Sequence, residues 1–130
     1  MKFHHFGLVT ADPAATRKIL AAMGYDVGAP VHDPLQNVML YWGTHPTFPA
    51  VELISPADTP GAVSELLKKG KQGVYHLCFE VDNLESELAG LSAHGRVLPV
   101  SPPKPAVLFN QRRVSFHFVE NFGLIELLEP

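Results

Sequence analysis

GLIELLEP, residues Gly123–Pro130, and AVELISP, residues Ala50–Pro56, follow one pattern: an apolar, β-prone run with one glutamate inside it and a proline at its close. Glu126 answers Glu52 across 74 positions. Each carboxylate sits in a run whose alternation offers no short route to water. Glutamate is almost never fully buried unless something pairs with it. Two such residues in matched contexts raise the question of what they face.

Working outward, the match extends through both halves of the chain. Lys2–Val9 reads as a strand with His5, Gly7 and Val9 on one face, and Val74–Val81 (VYHLCFEV) reads as its counterpart carrying His76. A capped helix follows each. Asp12-Pro13 supplies an N-cap and an N1 proline for a helix from Pro13 to about Met23, stopped by Gly24. Asp82 to Glu85 forms a D-x-x-E capping box for a helix to about Ala93, before Gly95. From His5 to Gly24 is 19 residues, and from His76 to Gly95 is also 19.

Three further strands then complete each half. In the first they are Tyr25–Val31, Asn37–Trp42 and Val51–Ile54, separated by a turn at His32-Asp33-Pro34 and a loop at Gly43–Pro49. In the second they are Arg96–Val100, Arg113–Val119 and Leu124–Leu128, with the proline-rich Ser101–Pro105 as a connecting loop. His5 precedes Glu52 by 47 residues and His76 precedes Glu126 by 50. The expectation is an α+β domain over residues 1–130, built of two tandem βαβββ modules. Module one covers about 1–56 and module two about 71–130. A linker helix at about 57–70 begins near Asp58 or Thr59 with Pro60 and ends at Gly70.

Bulk properties narrow the function classes. With 46% hydrophobic and 18% charged residues in 130, the chain has the composition of a soluble globular domain. Ten Lys+Arg against thirteen Asp+Glu give a net charge of −3 with no basic block, which disfavours non-specific nucleic-acid binding, so no nucleic-acid partner is expected. No apolar run reaches the length of a membrane span, and MKFHHF lacks the order of a signal peptide, so a cytoplasmic protein is expected. Cys78 alone permits neither an internal disulfide nor a Cys-based zinc site.

A single histidine on a strand is ordinarily a core or surface residue, and a single glutamate ordinarily pairs with a basic neighbour. Recurrence of all four in register changes that weighting. If a pseudo-twofold axis relates the modules, His5, Glu52, His76 and Glu126 can converge on it, and two imidazoles with two carboxylates suit a divalent first-row metal. His4 points to the face opposite His5, and Cys78, on the face of His76, reads as a small buried hydrophobe. His45 and His94 read as solvated. His117, mid-strand, is a candidate lining residue for a small-molecule substrate. Arg112 and Arg113 are candidates to hold an anionic substrate group. Lys68, Lys69 and Lys71 match the dipole at a helix end.

These pieces in this order (HHFGLVTAD, VELISPAD with PGAVSELLKKG, VYHLCFEVDN and LIELLEP) resemble the vicinal oxygen chelate superfamily of glyoxalases, bleomycin-resistance proteins and extradiol dioxygenases. The methylmalonyl-CoA epimerase and glyoxalase I branch is the nearest. The resemblance implies a half-open, cup-shaped mixed sheet with flanking helices. It also implies a divalent metal (zinc, nickel, cobalt, manganese or iron) at His5, Glu52, His76 and Glu126, and a homodimer. The activity implied is a metal-dependent isomerase or lyase that polarises a substrate carbonyl and removes the adjacent proton, with Glu126 as base and Glu52 as second candidate. The alternatives are a non-catalytic or resistance-type binding protein for a natural product or drug, and a ring-cleaving dioxygenase. Two departures matter. Leu35 in Pro34-Leu35-Gln36-Asn37-Val38 stands where epimerases carry a second base, and their A-H-G segment is missing near Phe109–Arg113. Both argue against two-base epimerisation and for Glu126 acting alone.

Overall fold

The structure is a computed structural model describing all of residues 1–130. Nine strands and three helices follow in the order β1 (Lys2–Val9), α1 (Pro13–Ala22), β2 (Asp26–Val27), β3 (Val31–Asp33), β4 (Val38–Thr44), β5 (Ala50–Pro56), α2 (Ala62–Lys68), β6 (Gly73–Glu80), α3 (Leu84–Ser92), β7 (Val97–Pro105), β8 (Arg113–Val119) and β9 (Gly123–Leu128). They form two compact units, one of His5–Tyr75 and one of His76–Pro130 together with Met1–His4.

In the unit of residues 5–75, β1 pairs in parallel with β5, β5 antiparallel with β4, and β4 antiparallel with both β2 and β3. The single second strand expected at Tyr25–Val31 is thus two short pieces, broken across Gly28-Ala29-Pro30 but laid on the same neighbour. Proline cannot donate to a ladder, so the break falls where pairing would fail anyway. His32 and Asp33 lie in β3 rather than in a turn. The turn comes after them: buried Asp33 accepts from the backbone N–H of Leu35 (2.9 Å) and Gln36 (3.2 Å). Leu20, Tyr25, Tyr41, Val51 and Leu53 make the core on one sheet face, joined by Phe6, Leu8 and Met39. Asp12 caps α1 as expected, accepting from Ala15 N–H at 2.9 Å.

Helix α2 starts later than the sequence suggests. Its N-cap is Gly61, because Asn37 donates its side-chain amide to the Thr59 and Pro60 carbonyls and holds that segment outside the helix. The helix packs on β5 and belongs to this unit.

In the other unit the order is β6-β9-β8-β7, with β6 and β9 parallel and the remaining pairs antiparallel. This repeats the β1-β5-β4-β2 order of the first unit. Val81, Ile125 and Leu127 form its core with Phe79, Leu84, Leu88, Leu91 and Val119. The α3 cap is Asn83, whose side chain accepts from Ser86 N–H at 2.8 Å, one residue after the expected Asp82. Ser101–Pro105 is not a loop but the end of β7. As an end strand with only β8 beside it, β7 tolerates prolines and absorbs them as irregularities between Pro99 and Ser101 and between Ser101 and Lys104.

The first four residues also pack here. Phe3 meets Phe79 edge-on at 5.5 Å, Lys2 lies 3.9 Å from Glu80, and the Met1 ammonium bonds Glu87 at 3.0 Å. The second unit therefore takes residues that a module running from about 1 to 56 assigns to the first.

Candidate functional site

Register decides which side chains share a face, since alternate residues point to opposite sides. In the first unit Gly7 of β1 lies opposite Glu52 of β5, and Trp42 of β4 lies opposite Glu52 from the other side. His5, two residues before Gly7, therefore shares the face of Glu52 and Trp42. That face is the reverse of the one covered by α1, where Leu53 and Tyr41 pack. His5 is fully buried and Glu52 is 5% exposed. The His5 Nε2 stands 3.7 Å from Glu52 Oε2, and its ring meets the Trp42 ring at 5.2 Å and 78°.

The second unit repeats this residue for residue. Cys78 lies opposite Glu126 and Phe116 opposite Glu126 from the other side, placing His76 on the same face. His76 is 2% exposed and Glu126 1%. The His76 Nε2 stands 3.2 Å from Glu126 Oε2, and its ring meets Phe116 at 5.3 Å and 78°. Ile125 and Leu127, on the reverse face, carry the core under α3. Each unit thus spends one sheet face on its helix and keeps the other for an imidazole, a carboxylate and an aromatic ring.

Trp42 and Phe116 were not singled out among the sequence candidates, yet a signal existed: each stands ten residues before its glutamate. In the β4–β5 and β8–β9 ladders that offset puts the two side chains opposite one another.

The donor set and its spacing fit a metal. A separation of 3.7 Å is too long for a hydrogen bond. Two donors held ~2.1 Å from one first-row ion at angles of 90–120° stand ~3.0–3.6 Å apart. The 3.2 Å of His76 and Glu126 falls in that interval, and the 3.7 Å of His5 and Glu52 lies just beyond its upper end.

The remaining candidates lie elsewhere. His117 pairs with Ile125, so it is on the α3 side of the sheet, the reverse of Glu126. There its ring nitrogen lies 3.0 Å from Ser115 Oγ, and burial pushes its pKa below the ordinary 6.5. His117, a candidate lining residue by its place in the strand, thus lies on the face opposite the His–Glu pair, since one residue along a strand is the other face.

Arg112 donates to Glu80 Oε1 (2.8 Å) and to the Glu129 carbonyl (2.8 Å), and Arg113 to Glu129 Oε1 (2.7 Å). Arg112 holds the Glu80 carboxyl below its ordinary range against the opposing effect of burial. Both arginines thus serve carboxylates at the end of the sheet. His4 meets Phe109 edge-on at 5.2 Å. His45 is not merely solvated: its Nδ1 accepts from Thr47 N–H (3.1 Å) and Phe48 N–H (2.9 Å) while its ring stacks on Phe48. His94 is exposed, and Lys68 pairs with Glu65 at 2.7 Å. Leu35 is 56% exposed beyond β3.

Residues 4–116 match the Glyoxalase/Bleomycin resistance protein/Dioxygenase superfamily. The chain belongs to that superfamily. An ethylmalonyl-CoA/methylmalonyl-CoA epimerase of Cereibacter sphaeroides is 28% identical over 106 residues, 79% of this chain and 78% of that protein. A hypothetical protein of Bacillus halodurans shares the fold with a TM-score of 0.81 at 17% identity, over 99% of this chain and 94% of that one. A Streptomyces coelicolor methylmalonyl-CoA epimerase variant in complex with 2-nitronate-propionyl-CoA gives 0.76 at 21% identity, over 99% and 96%. A divalent metal is usual in that superfamily. No helix is long and apolar enough to cross a membrane.

Proposed function

We propose that this protein is a divalent-metal-dependent enzyme that removes a proton next to a substrate carbonyl. Its ligand set is His5, Glu52, His76 and Glu126, drawn in equal parts from the two modules. The observation that carries the reading is the duplicated pair: a buried imidazole beside a buried carboxylate, in one register, on the face each module withholds from its helix. Two neutral imidazoles and two carboxylates suit zinc, nickel, cobalt, manganese or iron, and would neutralise a divalent charge. When bound, such an ion polarises a carbonyl and stabilises the negative charge that develops on its oxygen as the proton leaves.

The chain's own residues do the rest. Glu126 takes the proton: its carboxylate is buried on the sheet face it shares with His76, withheld from α3. Glu52 is the second candidate for that role. Trp42 and Phe116 are apolar walls beside the imidazoles and exclude water from the reacting atoms. Leu35 brings no carboxylate to the turn beyond β3, so proton removal and return fall to one base. The substrate class to test first is an acyl-CoA thioester with an acidic α-proton, by kinship with the epimerases, followed by glutathione hemithioacetals. A homodimer is part of the same proposal and is read by light scattering.

The experiment combines metal content with isotope exchange. Protein purified without chelator or nickel resin is analysed for metals and reconstituted with each candidate ion. Substrates are then followed by NMR in deuterated water. The reading requires about one metal ion per chain and metal-dependent loss of the α-proton signal. A chain that takes up no ion after reconstitution sinks the ligand set. A loaded protein that binds these compounds without exchange is a sequestering protein, and oxygen uptake with catechols would make it a dioxygenase.

A further inference from the structure

We infer that Trp42 and Phe116 are positioning residues that set the orientation of the His5 and His76 rings; this rests on the proposed metal site and extends it to the residues that prepare it. A metal-bound imidazole must point one nitrogen at the ion within a narrow range of ring angles. Histidine's outer torsion is broad and roughly two-fold, so something outside the residue has to fix it. Metal ligands are usually held by a hydrogen bond to the other ring nitrogen. Here both modules add an edge-on aromatic ring.

Four features coincide. The two contacts have nearly the same geometry, 5.2 and 5.3 Å between centroids and 78° between planes in both cases. Each aromatic is the cross-strand partner of its module's glutamate, so carboxylate and ring are fixed by the same backbone pair. Each lies two strands away from its histidine strand, paired on both sides, which gives the ring a rigid mount. The residue types differ, tryptophan in one module and phenylalanine in the other, so the shared property is the ring edge and not a hydrogen-bonding group. Edge-to-face aromatic pairs of this spacing have a defined angular preference. An aliphatic residue of similar bulk would fill the space and leave the imidazole free to rotate.

The inference is asymmetric in its detail. Phe116 is 8% exposed, a buried strut, whereas Trp42 is half-buried and the chain's one tryptophan. Trp42 therefore also reports on its neighbour: an ion held at His5 changes the charge a few ångströms from the indole, and the emission with it.

The test uses the full chain with Trp42→Leu, Trp42→Phe, Phe116→Leu and the wild type, each checked for folding by circular dichroism. Ring 1H–13C NMR of the histidines is recorded first on metal-free protein. The expected result is a single, ring-current-shifted orientation for His5 and for His76 in the wild type. Trp42→Leu should lose it at His5 alone, Phe116→Leu at His76 alone, and Trp42→Phe should retain it. Zinc and nickel affinities are then measured by competition with a chelating dye. Each leucine variant should bind about 10-fold or more weakly, in the range seen when supporting residues of metal sites are removed, and Trp42→Phe should stay within about 3-fold. A folded Trp42→Leu protein with an unchanged His5 signal overturns the inference. A wild type that binds no ion at all overturns the metal site instead, while the ring spectra still decide whether the aromatics orient the histidines.

Discussion

Replacing Glu126 by glutamine should have opposite effects on the empty and the loaded protein. Glu126 is 1% exposed and its Oε2 lies 3.2 Å from His76 Nε2. Withdrawing a carboxylate from water costs several kcal/mol even after relaxation, and an amide of the same shape costs only ~1–3 kcal/mol even with no hydrogen bond to compensate. In chelator the variant should therefore match the wild type or exceed it by ~1 kcal/mol. With metal the order reverses. An ion present at 100 times its dissociation constant adds ~2.7 kcal/mol to the wild type, or ~8–13 °C in Tm for a chain of this size. Losing one anionic ligand should weaken binding by ~100-fold, leaving ~0.4 kcal/mol and a rise of ~1–2 °C at the same metal concentration. Differential scanning calorimetry with and without zinc reads both effects. A variant destabilised in chelator but with the full wild-type increment on adding zinc would refute the reasoning, because Glu126 would then be a structural partner of His76 and not a ligand.

Three further outcomes test the scaffold around the site. Leu53→Ala, at a fully buried position in the first unit's core, should cost ~2–5 kcal/mol in urea denaturation. Gly24→Ala should cost ~1 kcal/mol or more, since φ there is +95° and a Cβ would stand 2.8 Å from the pinned His45 ring, whose NMR signals should shift. His117, whose pKa burial holds below 6.5, binds its proton more readily in the unfolded chain. Its contribution is complete above that value and is lost as pH falls below 6.5 towards the folded pKa. His117→Gln should therefore show a shallower fall in stability over that interval than the wild type; parallel curves would count against the assignment.

Much of this architecture was legible because punctuation and periodicity agreed. Asp12-Pro13 and Gly24 bracket α1, and Arg113–Val119 alternates cleanly enough to give both ends of β8. The misreadings have local physical causes. Prolines at Ser101–Pro105 signal a loop, yet at the end of a sheet a strand can do without their missing N–H groups. The start of α2 depends on Asn37, more than twenty residues upstream, which no local cap rule can see. For the site, the duplicated His and Glu were readable from spacing alone. The face of His117 was not, because a period-two pattern is informative only once the pairing register is known. Trp42 escaped notice because an aromatic residue in a strand is so often simply core.

The division of β1 between the two units has a consequence in time. Phe3 finds Phe79, and the Met1 ammonium finds Glu87, across more than seventy residues of intervening chain. At synthesis rates of ~5–20 residues per second, those first residues wait ~4–15 s for their partners to be made. The sequence that supplies His5 and Glu52 is made well before the sequence that supplies Glu126, 74 residues after Glu52. A growing chain thus holds one imidazole–carboxylate pair for seconds before the second exists.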